Sequence, residues 1–207
     1  MRSKHLAMRI RQCLELAKCS NCSVRGGDRK FGAILLDPDR NVTLMDGYNG
    51  GPRGGTKQCG GDNFCLRHGY RREDFEIKNT DPAVWQIYYM GEIWSGAAAE
   101  HLAEAEIQKA CEKHPPIPSG TRLEVGCYHA EQNVILNAAA NGVPCKGAWL
   151  IVNGEPCLMC AKLIYHAGIT RVILVTGVYS TTEGVEFLEQ HGVAVTRVDD
   201  PENPPDI

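Results

Sequence analysis

His129 and Glu131 stand two residues apart, and Cys157 and Cys160 stand three apart, and together these four side chains can hold a metal ion and use it. One imidazole and two thiolates bind Zn²⁺ and leave its fourth position for water, whose pKa the metal brings down to about 7. Glu131 lies two residues past the imidazole and follows the small Ala130. Its carboxylate can therefore reach such a water without ligating the metal and serve it as a general base and acid. The spacing of Cys157 and Cys160 puts both sulfurs on one face at the start of a helix, and Pro156 suits the first turn, where its missing N–H costs nothing. A Cys-x-x-Cys by itself reads equally as a redox pair or half a structural zinc knuckle, and a His-x-Glu by itself carries no meaning. In this order, each opening an apolar helical stretch, they read as a catalytic centre.

The elements that must position these groups follow from pattern. A helix runs from His129 through residue 140 and stops at Asn141-Gly142; a strand at 148–152 leads to a helix at 157–167, and a second strand follows at 171–176. Strand, helix, strand with short links predicts a parallel right-handed crossover, with one more helix and strand at 184–191 and 193–198. Upstream, Leu6, Ile10, Cys13, Leu14 and Ala17 recur at helical spacing, and residues 31–36 and 42–48 are strand-like runs joined by Asp37-Pro38-Asp39-Arg40-Asn41, a hairpin. The sum is an α/β chain, a three-layer α/β/α sandwich around a mixed sheet of about five strands, with two helix N-termini at the metal, where the dipoles favour thiolate and hydroxide.

Three stretches are less regular. Residues 19–30 form a polar loop with Cys19, Cys22, Arg25, Arg29 and Lys30, whose charge suits solvated surface or a phosphate seat alike. Residues 47–55, rich in glycine and proline, make a loop that is either a flexible turn or a rigid approach to a ligand, with Asn49 and Arg53 as its polar contacts. Residues from about 70 to 121 read as an insertion with a helix at 97–111 and too few apolar residues for a core of its own, so we expect one domain over 1–207. The tail, 199–207, should be ordered only by docking.

Composition narrows the function classes. A formal charge of −3 and a pI near 6.2 give no broad basic field, which argues against nucleic acid and anionic membrane as partners. No apolar run reaches the about 18 residues of a membrane span. The start, Met1-Arg2-Ser3-Lys4, lacks a signal-peptide core, so the ten cysteines read as reduced thiols and zinc ligands in a cytoplasmic protein.

His-x-Glu followed by Pro-Cys-x-x-Cys is the signature of zinc-dependent nucleobase deaminases. Beyond that motif, the chain resembles the deoxycytidylate (dCMP) deaminase family, phage and bacterial members especially, of the cytidine deaminase superfamily. The resemblance is carried along the chain by Cys22 with Ser-Val-Arg, Phe31-Gly32-Ala33-Ile34, Gly47-Tyr48-Asn49-Gly50-Gly51-Pro52-Arg53-Gly54 and Cys65-Leu66-Arg67. Ile117-Pro118-Ser119-Gly120, Cys127, His129-Ala130-Glu131-Gln132-Asn133, and Glu155-Pro156-Cys157 with Cys160-Ala161-Lys162 complete it. The resemblance implies a cytidine deaminase-like fold, His129, Cys157 and Cys160 on a catalytic zinc, and Glu131 as proton shuttle. It also implies that Asn49 contacts deoxyribose and that Arg25, Arg53 and Tyr179 lie near the nucleotide phosphate, with Arg29 or Lys30 as substitutes for Arg25. The enzyme it implies deaminates dCMP to dUMP for thymidylate synthesis, as a homo-hexamer activated by dCTP and inhibited by dTTP; deamination of dCTP and a non-catalytic nucleotide sensor are the competing readings. A second, structural zinc on Cys22, Cys59, Cys65 and Cys127 is implied too, with Cys19, His68 and His101 in reserve; Cys13, Cys111 and Cys145 read as small buried apolar residues.

Overall fold

The structure is a computed structural model that describes residues 1–20, 30–51, 69–81, 84–89, 91–117, 127–175 and 182–207. In chain order its elements are α1 (Ser3–Lys18), β1 (Gly32–Asp37), β2 (Val42–Tyr48), β3 (Phe75–Asp81), β4 (Val84–Tyr89), β5 (Glu92–Ala97), α2 (Glu100–Lys113), α3 (Ala130–Ala140), β6 (Trp149–Val152), α4 (Leu158–His166), β7 (Arg171–Val175), α5 (Thr182–Gln190) and β8 (Ala194–Val198). They fall into two compact units, Met1–Pro52 with Cys127–Ile207, and Arg53–Gly126.

The first unit is built on a five-stranded sheet ordered β2-β1-β6-β7-β8, in which β1 runs antiparallel to β2 and β6 while β6, β7 and β8 run parallel. Strand period sorts its side chains. Ile34, Leu36, Ile151, Ile173, Val175 and Val198 face Leu6, Ile10 and Cys13 of α1, whereas Ala33, Leu35, Leu150, Val152, Val172 and Leu174 face the helices that carry Ala130, Val134, Ile164 and Leu188. The central strands are buried on both faces, which is why Leu150-Ile151-Val152 and Val172-Ile173-Leu174-Val175 are unbroken apolar runs rather than alternating ones. One helix on one face and three on the other make the three-layer α/β/α sandwich that the pattern predicted.

The β1–β2 connection closes as its residues dictate: Asp37 Oδ1 accepts the N–H groups of Asp39 (2.9 Å) and Arg40 (3.0 Å). The C-terminal tail docks on α1, with Ile207 N–H donating to Met1 O (3.1 Å), Arg11 paired with Glu202 (2.8 Å), and Asp206 accepting the N–H of Ser3 in the first turn.

The second unit corrects the sequence reading of that stretch. Besides α2 it holds the antiparallel sheet β3-β4-β5, and it has a small core of its own: Phe75, Ile87, Tyr89, Ala103 and Ile107, flanked by Tyr70, Ile77 and Trp94. The sequence reading expected too few apolar residues for such a core; the rings of Tyr70, Phe75, Tyr89 and Trp94 supply much of its volume, each burying about 150–250 Å². Tyr70 lies 5.0 Å from Tyr89 edge-on, and Phe75 lies 5.0 Å from Tyr89 and 5.2 Å from Trp94.

Candidate active site

Two helix starts meet here. His129 is the N-cap of α3, and Cys157 is the N-cap of α4, both with extended backbone (φ −72°, ψ 158° and φ −67°, ψ 163°). Gln132 Oε1 accepts the backbone N–H of His129 (2.9 Å), so a residue in the first turn fixes the peptide that carries the imidazole. Cys160 sits one turn into α4 and is fully buried.

The three ligand atoms lie within 4.8 Å of one another, with His129 Nδ1 3.6 Å from Cys157 Sγ and 3.4 Å from Cys160 Sγ. A tetrahedral zinc with bonds of about 2.3 Å to sulfur and 2.0–2.1 Å to nitrogen requires N···S separations of about 3.6 Å. Both N···S edges of the triangle therefore fit zinc, and its donor set of one nitrogen and two sulfurs suits that metal.

The electrostatics show thiols poised to ligate. The hydrogen bond from Cys160 holds the Cys157 thiol down at about 4, helped by His129 and opposed by burial. The same bond, with burial, pushes Cys160 far up, so this pair shares one proton. His129 is raised, chiefly by its hydrogen bond to Cys157.

Glu131 is buried in the first turn of α3, 5% exposed, and feels the charges of His129 and Cys157 and a hydrogen bond with Cys160. Burial is the main cause that raises its pKa. Its carboxylate is outside the ligand triangle among the described residues. The arrangement is a metal triangle with a buried carboxyl group beside it, poised to take a proton and give it back.

Asn49 lies at the end of β2, 7% exposed, and its Oδ1 accepts the N–H of Phe31 (2.8 Å) while its backbone N–H donates to Phe31 O (3.0 Å) and Ser20 Oγ donates to its carbonyl (2.8 Å). A two-bond bridge ties the next residue to the turn before His129: Gly50 N–H donates to Tyr128 O (3.1 Å) and Tyr128 N–H to Gly50 O (2.9 Å). The structure thus brings the Asn49 loop to the metal triangle. Cys127 is half-buried and close enough to raise His129 electrostatically. Lys30 precedes β1, Cys19 is exposed after α1, and His101 is exposed on α2. Cys13 is buried, as the sequence suggested, and Cys111 and Cys145 are half-buried. Cys22, Cys59, Cys65, His68, Arg25, Arg29, Arg53 and Tyr179 lie outside the described residues.

Sequence reasoning missed several residues that build this site. Asn153, 4% exposed, clips the entry of β1, its Oδ1 accepting Gly32 N–H (2.7 Å) and its Nδ2 donating to Lys30 O (3.0 Å). Gly184 of α5 packs on the Pro156–Cys157 backbone so closely that an added Cβ would lie 2.8 Å from Pro156 C and 2.9 Å from Cys157 C. Neither has a local signal, because their partners are distant in sequence.

Known proteins with similar sequences point the same way. Deoxycytidylate deaminase of Enterobacteria phage T4 is 28% identical over 144 residues, which is 70% of this chain and 65% of that protein. ComE operon protein 2 of Bacillus subtilis is 39% identical over 71 residues, 34% of this chain and 38% of that protein. The chain thus spans from 38% to 67% of the lengths of the curated relatives it matches. Among solved structures, the dCMP deaminase of cyanophage S-TIM5 in complex with dCMP and dUMP superposes with a TM-score of 0.57 at 20% identity, covering 96% of this chain and 99% of that one, a likeness of fold. The model of the cytidine and deoxycytidylate deaminase zinc-binding region matches residues 3–176, and the chain belongs to that family.

Proposed function

We propose that this chain hydrolyses dCMP to dUMP and ammonia at the His129, Cys157 and Cys160 centre. The observation that carries the reading is Glu131: a structural zinc site has no use for a buried carboxyl group in the turn beside its ligands. Family membership and the phage relatives support the choice of substrate.

Zinc held by the triangle supplies the Lewis acidity that provides hydroxide at neutral pH. The Glu131 carboxylate accepts the proton of the attacking water and passes it to N3 of cytosine as oxygen adds at C4. It then takes the proton of the new C4 hydroxyl and delivers it to the C4 amino group, whose bond to carbon breaks as the carbonyl of uracil forms and ammonia leaves. A carboxyl group whose pKa is raised by burial suits a residue that must both take and give a proton near neutrality. Asn49 binds the deoxyribose, and Arg25, Arg53 and Tyr179 receive the phosphate, on the strength of the family resemblance.

The same resemblance supports dCTP activation, dTTP inhibition, a hexamer, a role in thymidylate supply, and a second zinc on Cys22, Cys59, Cys65 and Cys127. The unit around β3–β5 is then an insertion in a single deaminase domain. No helix among the described residues is long and apolar enough to cross a membrane, and a cytoplasmic location completes the reading. The test is ammonia release from dCMP, dCTP, CMP, deoxycytidine and dAMP, each with and without dCTP or dTTP. Preference for dCMP is expected, and preference for deoxycytidine overturns the nucleotide assignment. Elemental analysis of fully loaded protein should count two zinc ions per chain.

A further inference from the structure

Strand β2 is an edge of the sheet among the described residues, and α3 covers that edge. An edge strand offers unpaired carbonyls, and two asparagines one helical turn apart take them: Asn133 Nδ2 donates to Tyr48 O (2.6 Å), and Asn137 Nδ2 donates to Asp46 O (2.9 Å). They reach because the strand has no side chain at Gly47, where a Cβ would meet Val134 N at 2.6 Å, Asn133 C at 3.0 Å and Ala130 O at 3.1 Å. The two rungs are chemically alike but differently placed. Asn133 is two residues from Glu131 and grips the peptide that leads into Asn49, whereas Asn137 grips the strand farther from the site. With the Gly50–Tyr128 bridge on its other side, Asn49 is held between two attachments to the segment 128–133.

We propose that Asn133 is a positioning residue that acts through Tyr48 to hold Asn49 in register with His129 and Glu131, an inference that rests on the nucleotide reading of the site. Asn137 is its structural counterpart, tying the strand to the helix without setting the site. The expected behaviour of the two differs even though each deletes one side-chain bond to a backbone carbonyl, and alanine's better helix propensity offsets part of each loss.

The test uses zinc-loaded full-length Asn133→Ala, Asn133→Asp and Asn137→Ala. Asp keeps the shape of Asn but lacks the N–H donor. We expect unchanged zinc content in all three, and for both Asn133 variants about tenfold weaker dUMP binding and a matching rise in the KM for dCMP with kcat nearly kept. Asn137→Ala should lower the melting temperature as much and leave KM and dUMP affinity within about twofold. Equal effects of Asn133→Ala and Asn137→Ala on dUMP binding, or wild-type dUMP affinity in Asn133→Asp, overturns the positioning role while leaving the deaminase reading intact. A wild-type chain that neither deaminates dCMP nor binds dUMP overturns the deaminase reading, and this inference falls with it.

Discussion

Replacing Gly184 with alanine should weaken zinc binding although residue 184 touches no ligand atom. The new Cβ would sit 2.8 Å from Pro156 C and 2.9 Å from Cys157 C, and closer still to the Pro156 carbonyl oxygen. Carbon atoms settle at about 3.5–4.0 Å, so the two backbones must part by about 0.6 Å or more. Helix α5 is anchored by Val185 and Leu188, both in the core. Without metal, the Pro156–Cys157 turn is free to give way, and zinc can bind only by drawing Cys157 back against the clash. Zinc–ligand distances tolerate only about ±0.2 Å, so the sulfur cannot remain displaced in the loaded state. An overpacking energy of about 1–3 kcal/mol, spent on binding, lowers affinity by about 5- to 150-fold. Competition with a chromophoric chelator measures this directly, with Glu183→Ala at the exposed neighbouring position as control. Wild-type zinc affinity in Gly184→Ala, with or without a lowered melting temperature, refutes the reasoning, because it means α5 yields instead of the metal turn.

Further outcomes follow from the same geometry. Glu131→Gln should keep zinc and lower dCMP turnover by about 10²- to 10⁴-fold, the range for a lost general acid–base group; near-normal turnover removes Glu131 from the mechanism. Zinc uptake by the apo chain near neutral pH should release at least one proton, since Cys157 is already a thiolate and Cys160 holds the shared proton. Affinity should then fall about tenfold per pH unit as pH drops, more steeply once His129 also carries a proton, and calorimetry in buffers of different ionisation enthalpy counts the protons. Arg53→Met should cut kcat/KM for dCMP by about 10- to 150-fold, the worth of one charge-assisted bond of about 1.5–3 kcal/mol, and barely change deoxycytidine turnover. If Arg53 serves the regulatory nucleotide, the same variant instead loses dCTP activation and keeps basal dCMP turnover.

What could be read from the sequence was what is encoded at short range. His129, Glu131, Cys157 and Cys160 declare their chemistry by offsets of two and three residues, each at a helix start whose apolar run follows immediately, and the structure sets those helix starts side by side. The central strands declared themselves too, because burial on both faces leaves only aliphatic residues to write them with. The second unit was misread for the converse reason. Its strands are half-buried, much of its apolar volume sits in Tyr70, Phe75, Tyr89 and Trp94, and the alternation of Phe75 and Ile77 with Glu76 and Lys78 is too short to stand out as a strand.

The residues that hold the site together belong to a third class, visible only when distant segments meet. Asn133 and Asn137 are unremarkable helix residues until Gly47 lets an edge strand come within reach, and Asn153 is a loop residue until β1 supplies the peptide groups it clips. In each case a side-chain amide takes a backbone group that the sheet ladder leaves unpaired, and for Asn133 and Asn153 this happens where the chain leaves regular structure towards the metal. Asparagine suits that work because its side chain is a displaced peptide group, with one acceptor and two donors on a short stem. Side chains thereby continue the sheet's hydrogen bonding past the ends of β2 and β6, at Tyr48 through Asn133 and at Lys30 and Gly32 through Asn153.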